Sequence, residues 1–283
     1  MSTPAAFETH NTRIHRAASV DGTQIAGRVE GQGPPLVFVH GGLGDGETSW
    51  SALVPFLSEE FTCYLMSTRG REPSQDAPDH SRERIVQDIA AFVGSIGGSV
   101  GVIGHSSGGA LALEAAAQTP AVSALALYEP TLFDLGPRDP VRDEDAFARI
   151  GAAVAERRWV DAVRIFLEDV ALTTPAELSL MAERGMFELL AKNVAIEVEE
   201  AAQSGRPRLP DLDVLDRITI PVLLLHGSRT APFYTGVVSE LAARLPDPHV
   251  REVPDVAHIG PQLSPQPIAE ELTRFFARAL QHV

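Results

Sequence analysis

A chain of 283 residues and 30.3 kDa has room for one large domain or two small ones. With 44% hydrophobic residues, 22% charged residues and a mean hydropathy of +0.01, it is neither a disordered chain nor a fibrous repeat. A formal charge of −15 repels phosphate backbones and anionic lipid headgroups, which argues against nucleic-acid and membrane-surface partners.

The predicted elements alternate. Two runs around 12–18 and 23–30, joined by Asp21-Gly22, read as a leading hairpin. Pro35 to His40 reads as a buried strand that enters the loop Gly41-Gly42-Leu43-Gly44. A helical pattern over about 48–58 precedes a strand from Thr62 to Met66. Ile85, Ile89, Phe92 and Ile96 form a helical stripe within Ser81 to Ile96. Val100 to Ile103 is a strand, Ser107 to Gln118 an alanine-rich helix, and Val122 to Tyr128 another strand. After a gap come the strand Val222 to His226, a helix over about 235–245 and the strand His249 to Val253. A final helix has Pro267 near its start and Ile268, Leu272, Phe275, Phe276 and Ala279 on one face. Such alternation implies a mostly parallel sheet covered by helices on both faces, an α/β fold.

The gap, residues 131–213, shows no strand pattern. Phe147, Ile150 and Val154 make one helical stripe; Val160, Val163, Leu167 and Val170 make a second. Thr174-Pro175-Ala176-Glu177 is a capping box. An all-helical insertion between the sixth and seventh strands reads as a cap over a core made of 1–130 and 214–283. The apolar runs are far shorter than the ~18 residues that span a bilayer. The single Cys63 cannot form an internal disulfide, no Cys/His spacing suggests zinc, and Met1 to Arg16 is too polar for a secretory signal. A cytoplasmic protein is expected; nothing in the sequence speaks to oligomeric state.

The strongest local signal is Gly104-His105-Ser106-Ser107-Gly108, between a predicted strand and a predicted helix. The pattern G-x-S-x-G sets a serine on a tight strand-to-helix turn, its hydroxyl raised above the sheet beside a helix N-terminus that favours negative charge. Alone, the pentapeptide could be a glycine-rich turn that only packs; the strand–turn–helix context favours chemistry. His40-Gly41-Gly42 also follows a buried strand. It could be a flexible loop or a phosphate cradle, but no Gly-Lys-Ser/Thr follows and no G-x-G-x-x-G opens a helix.

Together these segments resemble the α/β-hydrolase superfamily over nearly the whole chain, ending with Val253-Pro254-Asp255-Val256-Ala257-His258 before the closing helix. The resemblance implies Ser106 as nucleophile, His258 as base, and the N–H groups of Gly42 and Ser107 as oxyanion hole. Two positions depart from the pattern. Thr230 stands where the family's catalytic aspartate usually lies, and Ser67 stands where a loop-organising aspartate is common. Some relatives, haloalkane dehalogenases and certain lactonases among them, carry the acid at the end of the strand after the nucleophile helix. That position is Glu129 here. Trp159, Phe133, Phe187 and Phe233 are candidate substrate-pocket walls; His40, His105 and His226 read as supports.

The resulting expectation is a serine hydrolase for a carboxylic ester or lactone, needing a small acyl substrate and no metal or organic cofactor. Thioester, carbon–carbon and perhydrolase chemistry on the same triad stay open. So does a degenerate hydrolase acting as a small-molecule receptor, motivated by Thr230.

Overall fold

The computed structural model describes residues 13–208 and 213–280. Its eight strands are β1 (Arg13–Ala18), β2 (Gln24–Gly31), β3 (Pro35–Val39), β4 (Thr62–Ser67), β5 (Val100–His105), β6 (Val122–Tyr128), β7 (Val222–Gly227) and β8 (Pro248–Val253). They form one sheet in the order β1-β2-β4-β3-β5-β6-β7-β8. The β1–β2 and β2–β4 pairings are antiparallel and all others parallel. The expected hairpin and strands are present with ends slightly shifted; residue 12 and the N-terminal segment before it lie outside the described residues.

The central strands are continuous apolar runs because both faces of a parallel sheet are covered. Strand β6 shows how one sequence serves two cores. Val122, Leu125 and Leu127 join the cluster beneath α2 (Arg82–Ile96), α3 (Ser107–Ala116) and α10 (Pro232–Arg244). Ala124, Ala126 and Tyr128 join the opposite cluster with Phe38, Leu272 and Phe276, the last two from the closing helix (Pro265–Ala279).

Two helices differ from expectation. The pattern over 48–58 is a short α1 (Gly46–Trp50) followed by a 3-10 turn, Val54–Phe56, because Pro55 has no N–H to continue an α-helix. The helix expected from about 235 begins at Pro232, a proline suited to a first helical turn.

Between β6 and β7 the described residues contain helices and no strand. These are α4 (Pro140–Ala155), α5 (Trp159–Ile165) running into a π-turn at Phe166–Val170, α6 (Pro175–Glu183), α7 (Met186–Ala191), α8 (Val194–Ser204) and a short α9 (Asp213–Asp216). They build a separate apolar cluster around Ile150, Val163, Leu167, Met181 and Val194. That cluster also takes in Leu43 and Ile259, from the loops after β3 and beside His258. The inserted helices are therefore seated on the two loops that border the serine. Among the described residues, no helix is long and apolar enough to cross a membrane.

Candidate active site

Ser106 sits between β5 and α3 with φ 55° and ψ −128°, a left-handed backbone that a serine adopts only under constraint. The constraint is packing. A Cβ on Gly108 would overlap the carbonyl oxygen of His40, so only glycine lets the first turn of α3 lie against the end of β3. The hydroxyl thus stands at the N-terminus of a ten-residue helix.

His258 Nε2 lies 3.1 Å from Ser106 Oγ, and His258 Nδ1 lies 2.9 Å from Glu129 Oε2. With a carboxylate as its partner, Nδ1 carries the proton and Nε2 is left to accept from the serine. Glu129 is fully buried, also with positive φ, 44°. Its Oε1 accepts the Gly227 N–H at 2.8 Å and its Oε2 accepts the Thr230 hydroxyl at 2.8 Å. Thr230, where the family's usual acid would stand, thus donates to Glu129. Burial pushes the Glu129 carboxyl up to about 7, against the pull of those two donors. Burial likewise holds His258 well below the ordinary imidazole value, near 4, in its neutral form.

Supports surround the histidine. The His105 ring donates to the His258 carbonyl at 2.9 Å, and the Tyr128 hydroxyl donates to that of Ala257 at 2.6 Å. Tyr234 of α10 stacks on the His258 ring at 4.1 Å with a 12° tilt. Glu177 of α6 completes the expected capping box with Thr174, and its Oε1 also accepts the Ile259 N–H at 2.7 Å. The inserted helices thereby hold the histidine loop. Thr131 Oγ1 lies 3.1 Å from Ser106 Oγ, a bond in which either hydroxyl can donate.

The glycine loop is held in the same way. Gly41 lies against Ser106, where a Cβ would come within 2.8 Å of the serine Cβ. A Cβ on Gly42 would come within 2.8 Å of both Glu197 Oε1 and Phe166 Cζ. Leu43, at φ 61°, donates its N–H to Glu197 Oε2 at 3.2 Å. Glu197 of α8 also accepts from Arg71 at 3.0 Å. His40 bridges this loop to the next, its Nε2 accepting the Thr68 N–H at 3.1 Å. Ser67 accepts the Gly46 N–H and donates to the Glu72 carbonyl, the second a bond that an ionised aspartate there could not make. His226 lies beside its own strand end, Nδ1 facing the Gly227 carbonyl at 3.2 Å.

The cavity beside Ser106 and His258 corrects the expected pocket walls. It is lined by Phe166, Leu167, Met181, Met186, Leu190 and Ile259, with Gly42 and His105 at its base. None of Phe133, Trp159, Phe187 and Phe233 borders it. Trp159 opens α5 and is 38% exposed. Phe133 and Phe233 pack against each other with the Arg138 guanidinium over both rings, and Phe187 packs under Arg164. Helical periodicity marks these rings as apolar but does not say which turn the π-bulge rotates toward the serine; that bulge aims Phe166 inward. Tyr234, Thr131 and Glu197 carried no motif. Only the position of Thr131, two residues after Glu129, hints at its place. Among the described residues, no group of three or more His, Cys, Asp or Glu side chains is arranged to hold a metal ion.

The sequence model of the alpha/beta hydrolase family matches residues 36–271, and the chain belongs to that family. A 2-(acetamidomethylene)succinate hydrolase of Mesorhizobium japonicum is 26% identical over 274 residues, 93% of this chain and 95% of that protein. Among solved structures, an alpha/beta hydrolase from Sphaerobacter thermophilus superposes with a TM-score of 0.79 at 30% identity, over 93% of this chain and all of that one. An esterase from Rhodococcus sp. ECU1013 superposes at 0.76 and 22% identity, over 94% of this chain and 99% of its own.

Proposed function

We propose that the protein is a serine hydrolase of carboxylic esters, with Ser106 as nucleophile, His258 as base and Glu129 as the acid that orients it. The observation that carries this reading is the unbroken chain Glu129 Oε2–His258 Nδ1–Nε2–Ser106 Oγ, with links of 2.9 and 3.1 Å. His258 takes the serine proton as Oγ adds to the ester carbonyl, and returns it to the departing alcohol as the carbon–oxygen bond breaks. Water then repeats the sequence on the acyl-enzyme and releases the acid. The Gly42 and Ser107 N–H groups are the oxyanion donors, the latter being the first of α3 and so free of a helical acceptor.

The receptor reading drew on a missing acid, and Glu129 supplies a carboxylate at Nδ1. Lactone, thioester and carbon–carbon cleavage use the same groups. Ester cleavage is favoured because an alcohol leaving group needs no acid beyond His258, and the other polar side chains that line the cavity, Thr48, Ser49, His105 and Gln262, carry no charge.

Incubation with a fluorophosphonate probe should label the protein once, and peptide mass spectrometry should place the adduct on Ser106. An adduct on Ser107, or none, overturns the assignment.

Thr230 gives a pH test. Its hydroxyl bonds to the charged form of Glu129, so it holds the carboxyl pKa down. The acid limb of kcat/KM belongs to the Glu129–His258 pair and should lie near pH 7. In Thr230→Val that restraint is gone, the carboxylate protonates earlier as pH falls, and the limb should move to higher pH by roughly 0.5–1 unit. Thr230→Ser should restore it. A uniform loss of rate with no displacement of the limb would leave Thr230 a packing residue only.

A further inference from the structure

Every residue that lines the cavity beside Ser106 is uncharged, except for the two imidazoles His105 and His258. Its walls are largely thioether, aliphatic and aromatic, with Thr48, Ser49 and Gln262 as neutral polar side chains among them, and its empty space is about 610 Å³ with the open mouth included. A buried carboxylate needs a cation or several donors, because leaving it unpaired costs several kcal/mol.

Arg71, Arg138 and Lys192, in the surrounding structure, are each paired with carboxylates. Arg71, buried beneath the glycine loop, donates to Glu197 at 3.0 Å and to Glu200 at 2.9 Å. Two carboxylates share that guanidinium, and because burial and the neighbouring Glu200 push the Glu197 carboxyl up to about 7, the cluster carries no net positive charge. Arg138, whose charge reaches His258, forms a fork with Asp143 at 2.6 and 3.0 Å and also donates to the Val170 carbonyl at 2.9 Å. Lys192 Nζ lies 2.7 Å from Asp45 Oδ2. Glu177 and Glu129 add further buried carboxylates on the histidine side.

We infer that this site takes uncharged acyl substrates with an apolar chain and rejects anionic ones, dicarboxylate half-esters included. The inference rests on the hydrolase reading above and adds the substrate class to it. Phe166, Leu167, Met181 and Leu190 receive the apolar chain, and the unpaired methionine thioethers let it vary in shape.

The test compares ethyl butyrate with monoethyl succinate, which differ by a terminal methyl against a carboxylate. Wild-type kcat/KM should favour the butyrate by about 100-fold or more. The ratio should persist in about 0.5 M NaCl, where exposed charges are screened within a few ångströms. Both esters are also run as protectants of Ser106 against fluorophosphonate, so the comparison holds where turnover is slow. Rates and protection within tenfold of each other, or a preference for the succinate, overturn the inference. So does a ratio that collapses in salt, because repulsion by the outer surface then accounts for it. No labelling at all overturns the hydrolase reading, and this inference with it; labelling with equal use of both esters overturns this inference alone.

Discussion

Glu129→Gln should lower kcat/KM for a neutral ester by about 10³–10⁴-fold while the fold is retained, by analogy with the aspartate-to-asparagine change in a protease triad. The carboxylate now accepts from the Gly227 N–H, the Thr230 hydroxyl and His258 Nδ1. A glutamine has one acceptor oxygen for these three donors, and its amide N–H facing Nδ1 stabilises the opposite tautomer, with Nε2 protonated and unable to take the serine proton. Adding Thr230→Asp to that variant should recover part of the loss. Thr230 Oγ1 is 2.8 Å from the very oxygen that His258 uses, so a carboxylate at 230 reaches the same place. In the wild-type background Thr230→Asp should instead depress activity, because it sets a second buried carboxylate against Glu129. Steady-state kinetics with circular dichroism as the control for folding decides the matter. Near-normal turnover by Glu129→Gln would mean that the pair Ser106–His258 works without this acid.

Gly108→Ala should cost about 3 kcal/mol of stability or more, and Gly94→Ala should gain about 0.5–1 kcal/mol. The two changes add the same methyl group. At Gly108 it meets only main chain, the carbonyl of His40 and that of Val39, and no side chain there can rotate away. Relief requires β3 and α3 to part, which also moves the glycine loop and Ser106. At Gly94, in the last turn of α2, nothing lies within 4 Å of the added carbon, and the helix gains the lower backbone entropy of alanine in the unfolded chain. Urea unfolding at a fixed pH should show midpoints displaced in opposite directions with similar slopes. A loss under 1 kcal/mol at Gly108 would show that the elbow is looser than its contacts imply.

Local pattern determined more of this protein than composition did. Strands β3, β5, β6 and β7 were legible because a strand covered on both faces must be apolar throughout, and β1–β2 because Asp21-Gly22 turns the chain. Ser106 was legible for a similar reason: the chemistry needs a sharp turn, and the turn needs glycine at a fixed offset. The capping box at Thr174 was readable from four residues, but its second duty, holding the Ile259 N–H beside His258, was not.

What the tertiary structure alone decided lies where segments distant in sequence meet. Glu129 accepts from Gly227 and Thr230, about a hundred positions away, because β6 and β7 are neighbours in the sheet although the whole inserted helical region separates them in the chain. Tyr234 reaches the His258 ring from α10, and Glu197 reaches Leu43 from α8, with no shared motif. The pocket wall was misjudged for the same reason. Periodicity gives the apolar face of a helix, whereas the side chain that meets the serine depends on how α5 turns into its π-bulge and on which rings the arginines claim. Backbone hydrogen bonding and apolar spacing are local and leave a record in the sequence. The pairing of a buried charge, and the face a helix shows to a cavity, are fixed only when separate elements come into contact, because burial itself creates the energy that selects them.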